Sequence, residues 1–200
     1  GGSYVVGGLP AGTYRVEFRD AQNGNYVTEV YDDAADVGFG TDVVVAAGET
    51  VAGVDASLAA AGKITGTVTG PDGETPLEGI DVSAYCWNDA GEYWQPVFSA
   101  FTDENGNYII RGLLAGTYRV EFIDVHDTYA PETYSNVVAV ELGQDIVVAE
   151  GETAEGIDAS LALAGKITGT VTGPDGETPL ADIHVIAWME SGNRGSGRTD

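Results

Sequence analysis

Apolar residues in this 200-residue chain alternate with polar ones over short stretches, a period of two, and no segment holds a convincing helical period. The pattern is clearest in the middle of the chain. Ile64, Gly66 and Val68 alternate with Thr65, Thr67 and Thr69. Ile80, Val82, Ala84 and Cys86 fall on one side of the next stretch, with Asp81, Ser83, Tyr85 and Trp87 on the other. Tyr118, Val120 and Phe122 alternate with Thr117, Arg119 and Glu121. The runs predict strands at Ile64–Thr69, Ile80–Trp87, Gln95–Thr102, Tyr108–Arg111, Gly116–Phe122, Asn136–Glu141, Asp145–Ala149 and Gly156–Leu163. Pro71-Asp72-Gly73 and Glu104-Asn105-Gly106 read as turns. Seven or eight short strands in about 100 residues predict an all-β class, two sheets packed as a β-sandwich.

The pattern repeats. AGKITGTVTGPDGETPL stands at Ala61–Leu77 and, unchanged, at Ala164–Leu180, a shift of 103. AGTYRVEF stands at Ala11–Phe18 and at Ala115–Phe122, a shift of 104, so a one-residue slip falls after Phe18. ETVAGVDASLAAAG (Glu49–Gly62) matches ETAEGIDASLALAG (Glu152–Gly165). Three ordered matches at one spacing indicate tandem units. Residues 63–165 make one complete unit, 1–62 the closing half of a unit, and 166–200 the opening half. The opening half is expected to carry strands at Ile167–Thr172 and Ile183–Met189, and the closing half at Tyr4–Gly7, Thr13–Phe18 and Val43–Ala46. A half sandwich cannot bury its own sheet face. The expectation is therefore head-to-tail completion: the 166–200 half of one copy is closed by the 1–62 half of the next. Such a contact propagates as a homopolymer, or as one period of a longer tandem array.

Charge narrows the partners. Asp and Glu total 32 against 8 Lys and Arg, a formal −24. That surface argues against nucleic acid and anionic membranes. No apolar run approaches the roughly 20 residues of a membrane helix, so no membrane insertion is expected. Solubility accounts for the charge, and so would carboxylates meeting cations. Glycine is abundant but lacks the three-residue period of collagen. Cys86 is the single cysteine, which excludes an internal disulfide. It continues the inward series of its strand, and its counterpart in the next unit is Met189, so it reads as core. No signal peptide is visible, and the chain reads as a mature or excised segment.

Enzyme motifs are absent: there is no G-x-S-x-G, H-E-x-x-H, Walker loop or C-x-x-C, and the expectation is a protein that is not an enzyme. His184 aligns with Asp81, so the repeat does not require an imidazole there, and His126 reads as a solvated loop residue. Calcium is the candidate cofactor. Asp32, Asp33 and Asp36, with Asp42 close behind, form one acidic loop, and Asp103 and Asn105 offer oxygens on a tight turn that a hairpin would need anyway. Trp87, Tyr93 and Trp94 lie in or beside the segment Asn88–Phe101, which the next unit shortens to Ser191–Arg198. Aromatics there could stack on a glycan, cap the sandwich end or pack on a neighbouring domain.

The order GKITGTVTGPDGETPLEGIDVSAY, then TDENGNYIIRGLLAGTYRVEF, then YAPETY and GETAEGIDASLALAG resembles the carboxypeptidase regulatory-like domain. It is similar also to the B-type repeats of Gram-positive surface adhesins. The resemblance covers essentially the whole chain. It implies tandem prealbumin-like or immunoglobulin-like sandwiches, extracellular or on the cell surface, serving as spacer, stalk or adhesion module, with no catalytic residues to carry over. Some adhesin repeats carry a Lys–Asn or Lys–Asp isopeptide cross-link promoted by a Glu. Lys63 stands at the start of the first strand and Glu121 near the corresponding Glu, but Glu121 follows Tyr118 by three residues where the family spacing is four. The expected function is a structural repeat protein forming a filament, stalk or surface fibre. The alternative is a carbohydrate- or surface-binding adhesion module.

Overall fold

The computed structural model describes residues 1–34, 36–188 and 194–200, with backbone alone at 194 and 195. The head of the chain carries β1 (Gly12–Tyr14), β2 (Glu17–Phe18), β3 (Glu29–Val30) and β4 (Val43–Val45). The middle carries β5 (Gly62–Thr69), β6 (Asp81–Asn88), β7 (Tyr93–Phe101), β8 (Asn107–Leu113), β9 (Gly116–Ile123), β10 (Glu132–Thr133), β11 (Ile146–Val148), β12 (Thr153–Ala154) and β13 (Ala159–Ser160). The tail carries β14 (His184–Trp188) and β15 (Arg194–Arg198). The described residues contain no α-helix, only two short 3-10 turns at Val37–Phe39 and Val140–Leu142. No helix among them is long and apolar enough to cross a membrane.

Strands β5 to β13 form two sheets. In one, β6 lies between β7 and β9, and the far edge of β9 is shared by β10 and β11. In the other, β5 pairs antiparallel with β8 on one edge and parallel with β12 and β13 on the other. The period of two aims one set of side chains into the space between them. Ile64, Val68, Ile110 and Leu113 from the β5 sheet meet Val82, Ala84, Val120 and Phe122 from the β6 sheet, all with no exposed surface. Burying a large apolar side chain of this kind stabilises by about 1.5–3 kcal/mol, so the alternation drives the sandwich. Gly66 is required by packing: a Cβ there would lie 2.1 Å from the Ile157 carbonyl oxygen.

In the middle unit one expected strand is absent. Asn136–Glu141 turns back on itself through Ser135 and Asn136, both at positive φ, and ends in the 3-10 turn. Arg119 fixes that turn by donating from Nη1 to the carbonyls of Val140 and Glu141, so those carbonyls are unavailable to a sheet.

The head repeats the registers of the middle. β1 pairs with β4 through Tyr14 and Val43, as β9 pairs with β11 through Tyr118 and Ile146. β2 pairs with β3 through Glu17 and Val30, as β9 pairs with β10 through Glu121 and Thr133. In the tail, β14 and β15 form the hairpin of β6 and β7 without the register shift after Ala84. The strands expected at Tyr4–Gly7 and Ile167–Thr172 do not form. In the middle unit the corresponding strands, β8 and β5, are each other's partner, and here each lacks its partner. Among the described residues the head and tail sheets do not pair with one another.

Candidate functional site

The aromatic candidates sit at the turn end of the β6–β7 hairpin. Trp87 and Trp94 are cross-strand partners, and their rings meet edge to face with centroids 5.6 Å apart. The guanidinium of Arg119 lies over the Trp94 ring, 4.2 Å from its centroid. That arginine is immobilised three ways: Nε donates to Asp145 Oδ1 at 2.8 Å, and Nη1 donates to Val140 O at 2.9 Å and Glu141 O at 2.7 Å. Trp94 is thus a half-buried lid on an arginine clamp, with one ring face occupied. Trp87 and Tyr93 remain about half exposed, at 46% and 52%. Of the three candidates, these two are the more exposed.

Beside them the Tyr85 hydroxyl donates to Glu121 Oε2 at 2.6 Å. Burial, reinforced by that carboxylate, pushes the Tyr85 hydroxyl pKa well up. Lys63 points elsewhere, its Nζ donating to Asn25 Oδ1 at 2.9 Å. The lysine and the glutamate marked by the isopeptide resemblance are therefore engaged with different partners.

Cys86 is half-buried, against the fully buried position its place in the inward series implies. The register shift between Ala84 and Tyr85 lies just before it, and its sulfur sits 3.8 Å from Gln95 Nε2, at the margin of the core. Met189, its counterpart, lies outside the described residues.

Two of the acidic candidates, Asp103 and Asp36, accept from neighbouring backbone N–H groups. Asp103 Oδ1 accepts from the N–H of both Asn105 and Asn107, at 2.9 and 2.8 Å, the geometry of a hairpin turn. Asp36 Oδ1 accepts from Gly38 N and starts the first 3-10 turn. Asp32 and Asp33 both take positive φ, and Asp32 Oδ2 accepts from the Thr41 hydroxyl. Among the described residues, no three His, Cys, Asp or Glu side chains converge to hold a metal. His126 donates its backbone N–H to Asp124 Oδ1, and His184 opens β14.

Sequence reasoning missed two features. One is the arginine clamp, present twice: Arg15 donates to Asp42 Oδ1 and to the carbonyls of Val37 and Gly38, as Arg119 does to its equivalents. The equal spacing of Arg15 to Asp42 and Arg119 to Asp145, allowing for the slip, was the available signal. The other is the junction between units. Val27 N donates to Ala59 O at 2.9 Å and Ala61 N to Asn25 O at 2.8 Å, so the outgoing chain is stitched to the loop of the unit it leaves. The middle unit repeats this with Ala130 N to Ala162 O at 2.8 Å and Ala164 N to Thr128 O at 2.9 Å. At the first junction a Cβ on Gly24 would come within 2.8 Å of the Arg111 Cβ, so head and middle are in close contact there.

The model of the carboxypeptidase regulatory-like domain matches residues 63–161. No curated protein matches the chain. Among solved structures, the TIE protein of Bacillus anthracis is similar at 23% identity and a TM-score of 0.39, over 98% of this chain and 34% of that one. The chain thus spans about a third of that protein's length. GBS52, the minor pilin of Streptococcus agalactiae, is similar at 16% identity and a TM-score of 0.36, over 83% and 66%. A type II cohesin–X–dockerin complex of Acetivibrio cellulolyticus is similar at 18% identity and a TM-score of 0.28, over 52% and 58%. The regulatory-like domain is a non-catalytic domain type, and the match covers both sheets of the sandwich. The complete repeat of this chain is a carboxypeptidase regulatory-like domain, flanked on both sides by sequence of the same repeat.

Proposed function

We propose that this chain is a structural part of an extracellular or cell-surface assembly, a filament, stalk or fibre built from these sandwiches in series. The observation that supports the reading best is the repeated junction. Two backbone hydrogen bonds tie each outgoing segment to the loop of its own unit, and β5 begins at Gly62 with no slack after the first of them. A connection tied in this way is not a free swivel, and the same tie recurs at the next unit. Lys63 adds a bond across the first junction through Asn25. The acidic surface keeps such an array soluble and apart from nucleic acid.

Electron microscopy of the native material tests this. A continuous filament or stalk of uniform axial repeat is expected, and particles without axial repeat would overturn the reading. The exposed Trp87 and Tyr93 favour one alternative, a glycan-binding adhesion module. Glycan titration followed by tryptophan fluorescence separates the two: a saturable change lost in Trp87→Ala supports binding, and a flat response leaves the structural role.

A further inference from the structure

We propose that the outer face of β6 and β7 in the middle unit is a binding strip for an unbranched, uncharged polysaccharide, reaching from Trp87 to Phe101. The inference rests on the adhesion-module alternative above and assigns it a face, a direction and a ligand class.

The period of two builds the strip. Val82 and Ala84 face the core, so Asp81, Ser83, Tyr85 and Trp87 face out, and their cross-strand partners Phe101, Ser99, Pro96 and Trp94 face out with them. From Asp81 to Trp87 the strand covers about 20 Å, at about 3.3 Å per residue. Aromatic rings stand at both ends. Trp87 is 46% exposed beside Trp94 at the turn end, and Phe101 is 61% exposed at the other. Between them, beside the register shift, lies a shallow hollow lined by Ser83, Pro96, Val97, Phe98 and Ser99. Tyr93 does not belong to this face. It pairs with Asn88, which continues the inward series, and its ring lies over Gly91, where a Cβ would come within 2.3 Å of it.

The polar groups between the rings select the ligand. The Tyr85 hydroxyl donates to Glu121 Oε2 at 2.6 Å, and the Ser83 hydroxyl donates to Asp81 Oδ1 at 3.3 Å. Each hydroxyl proton is thereby committed, and hydroxyl and carboxylate oxygens alike serve as acceptors. An acceptor-rich surface between stacking rings matches a ligand that offers ring faces and many hydroxyl donors, which describes a polysaccharide. Charge removes the acidic ones. Arg119, the basic residue of the adjoining β9, is engaged by Asp145, two carbonyls and the Trp94 ring, while Asp81 and Glu121 repel an anionic polymer. A peptide added as a further strand is disfavoured as well. β7 ends its sheet, but Pro96 lacks an N–H and the register shifts beside it, so the edge offers no continuous ladder.

The next unit shows that the fold does not require the strip. Val185 and Ala187 repeat the inward Val82 and Ala84, but the outward series carries Ile186 for Ser83, Glu190 for Trp87 and Arg198 for Phe101. Inward residues are kept and outward ones exchanged, so the outward set of the middle unit answers to something other than folding.

Calorimetric titration of the full chain tests this, with neutral β-1,4-linked hexasaccharides of glucose, xylose, mannose and N-acetylglucosamine as probes. At least one is expected to bind saturably, with an affinity that salt does not change, as for an uncharged ligand. Its disaccharide, too short to reach both rings, is expected to bind more weakly by about tenfold or more. Hexagalacturonate, an acidic chain of the same length, is expected not to bind. Trp87→Ala, Phe101→Ala and Ser83→Ile, the last filling the hollow with the residue of the next unit, are each expected to weaken binding by about tenfold. Tyr93→Ala is expected to bind like the parent. All four positions lie outside the buried core, so the variants are expected to melt with the parent, which separates lost binding from lost folding. A hexasaccharide that binds Ser83→Ile and Phe101→Ala as tightly as the parent, that loses affinity in Tyr93→Ala, or that binds no better than its disaccharide would overturn the strip and leave the adhesion-module reading standing. Binding of hexagalacturonate alone would overturn the ligand class. The absence of heat from every saccharide would overturn both the strip and the adhesion-module reading.

Discussion

The same seventeen residues, AGKITGTVTGPDGETPL, occur twice in this chain and take two different structures. In the middle unit they give β5, with Ile64 and Val68 fully buried and both edges of the strand paired. In the tail they give no strand before Thr172, and Ile167 is 88% exposed. The turn that follows is unchanged. Asp72 accepts from the N–H of Glu74 and Thr75, and Asp175 accepts from the N–H of Glu177 and Thr178 at closely similar lengths. Leu77 N reaches Val68 O at 3.0 Å, and Leu180 N reaches Val171 O at 2.9 Å. Turn structure is thus a property of the local sequence, whereas strand structure here is conferred by neighbours.

The widest divergence between the copies is expected at the paired glycines. Gly66→Ala would drive a Cβ into a backbone carbonyl that is itself held by Tyr108, with no flexible group to yield. A loss of at least about 3 kcal/mol is expected, at the upper end of overpacking effects. Gly169→Ala in the lone chain should stay within about 0.5 kcal/mol, as surface substitutions do. Chemical denaturation of the two variants measures the difference, and equal losses would break the comparison.

A second pair sets Thr133 against Val30, which occupy the same place opposite Glu121 and Glu17. Thr133 is 1% exposed and its hydroxyl has no hydrogen-bond partner among the described residues, while the head fills the site with a methyl group. Thr133→Val keeps the shape and removes the desolvated hydroxyl, so a gain of about 1 kcal/mol is expected. A lower midpoint of denaturation would show that the hydroxyl is satisfied in solution.

The junctions offer a third pair. Gly24 and Asp127 take the same left-handed conformation, φ 57 and 56, in equivalent loops. Gly24 is in contact with Arg111 of the next unit, and Asp127 carries a side chain. Gly24→Ala combines an unfavourable φ with that contact and is expected to cost about 1 kcal/mol. Hydrogen exchange should quicken at the Ala61 N–H and stay constant at Ala164. Unchanged exchange at Ala61 would separate the loop from the junction.

These pairs show which parts of the molecule were legible in the sequence. The alternation of Ile80, Val82 and Ala84 with Asp81 and Ser83 gave β6 its buried face, because a period of two leaves a sheet few other arrangements. Tyr118, Val120 and Phe122 did the same for β9. Asn136–Glu141 misled because its apolar residues pack beside a 3-10 turn whose carbonyls go to an arginine 21 and 22 residues away. No local pattern carries that information. The pairing of Trp87 with Trp94 followed from hairpin register, but the seat of Trp94 on Arg119 depended on the third strand of the sheet. Asp32, Asp33 and Asp36 were legible as an acidic loop. The positive φ of Asp32 and Asp33, the bond Asp32 accepts from the Thr41 hydroxyl and the bond Asp36 accepts from Gly38 N–H were not.

The smallest effect expected is the most diagnostic of local against distant control. Hydrogen bonds from the Thr75 side chain and backbone, with one from Glu74 N–H, lower the Asp72 pKa from 3.8 to about 2. Thr178 and Glu177 do the same to Asp175, also to about 2. Both carboxylates are solvent-exposed, so the shifts come from turn geometry and not from burial. A carboxyl whose folded pKa is depressed adds stability that is complete above its unfolded value and is lost as pH falls through the folded one. The window for each turn therefore runs from about pH 4 down to about 2. Carboxyl-carbon chemical shifts should place both titrations together, since the turn forms whether or not a strand partner is present. Asp72→Asn should then remove a modest part of the acid dependence of the middle unit's melting, because that turn closes β5 onto a packed core. Asp175→Asn should leave that melting unchanged. If Asp175 titrates near 3.8 while Asp72 stays near 2, the turn depends on the finished sandwich after all, and the division between local turns and borrowed strands fails at its simplest point.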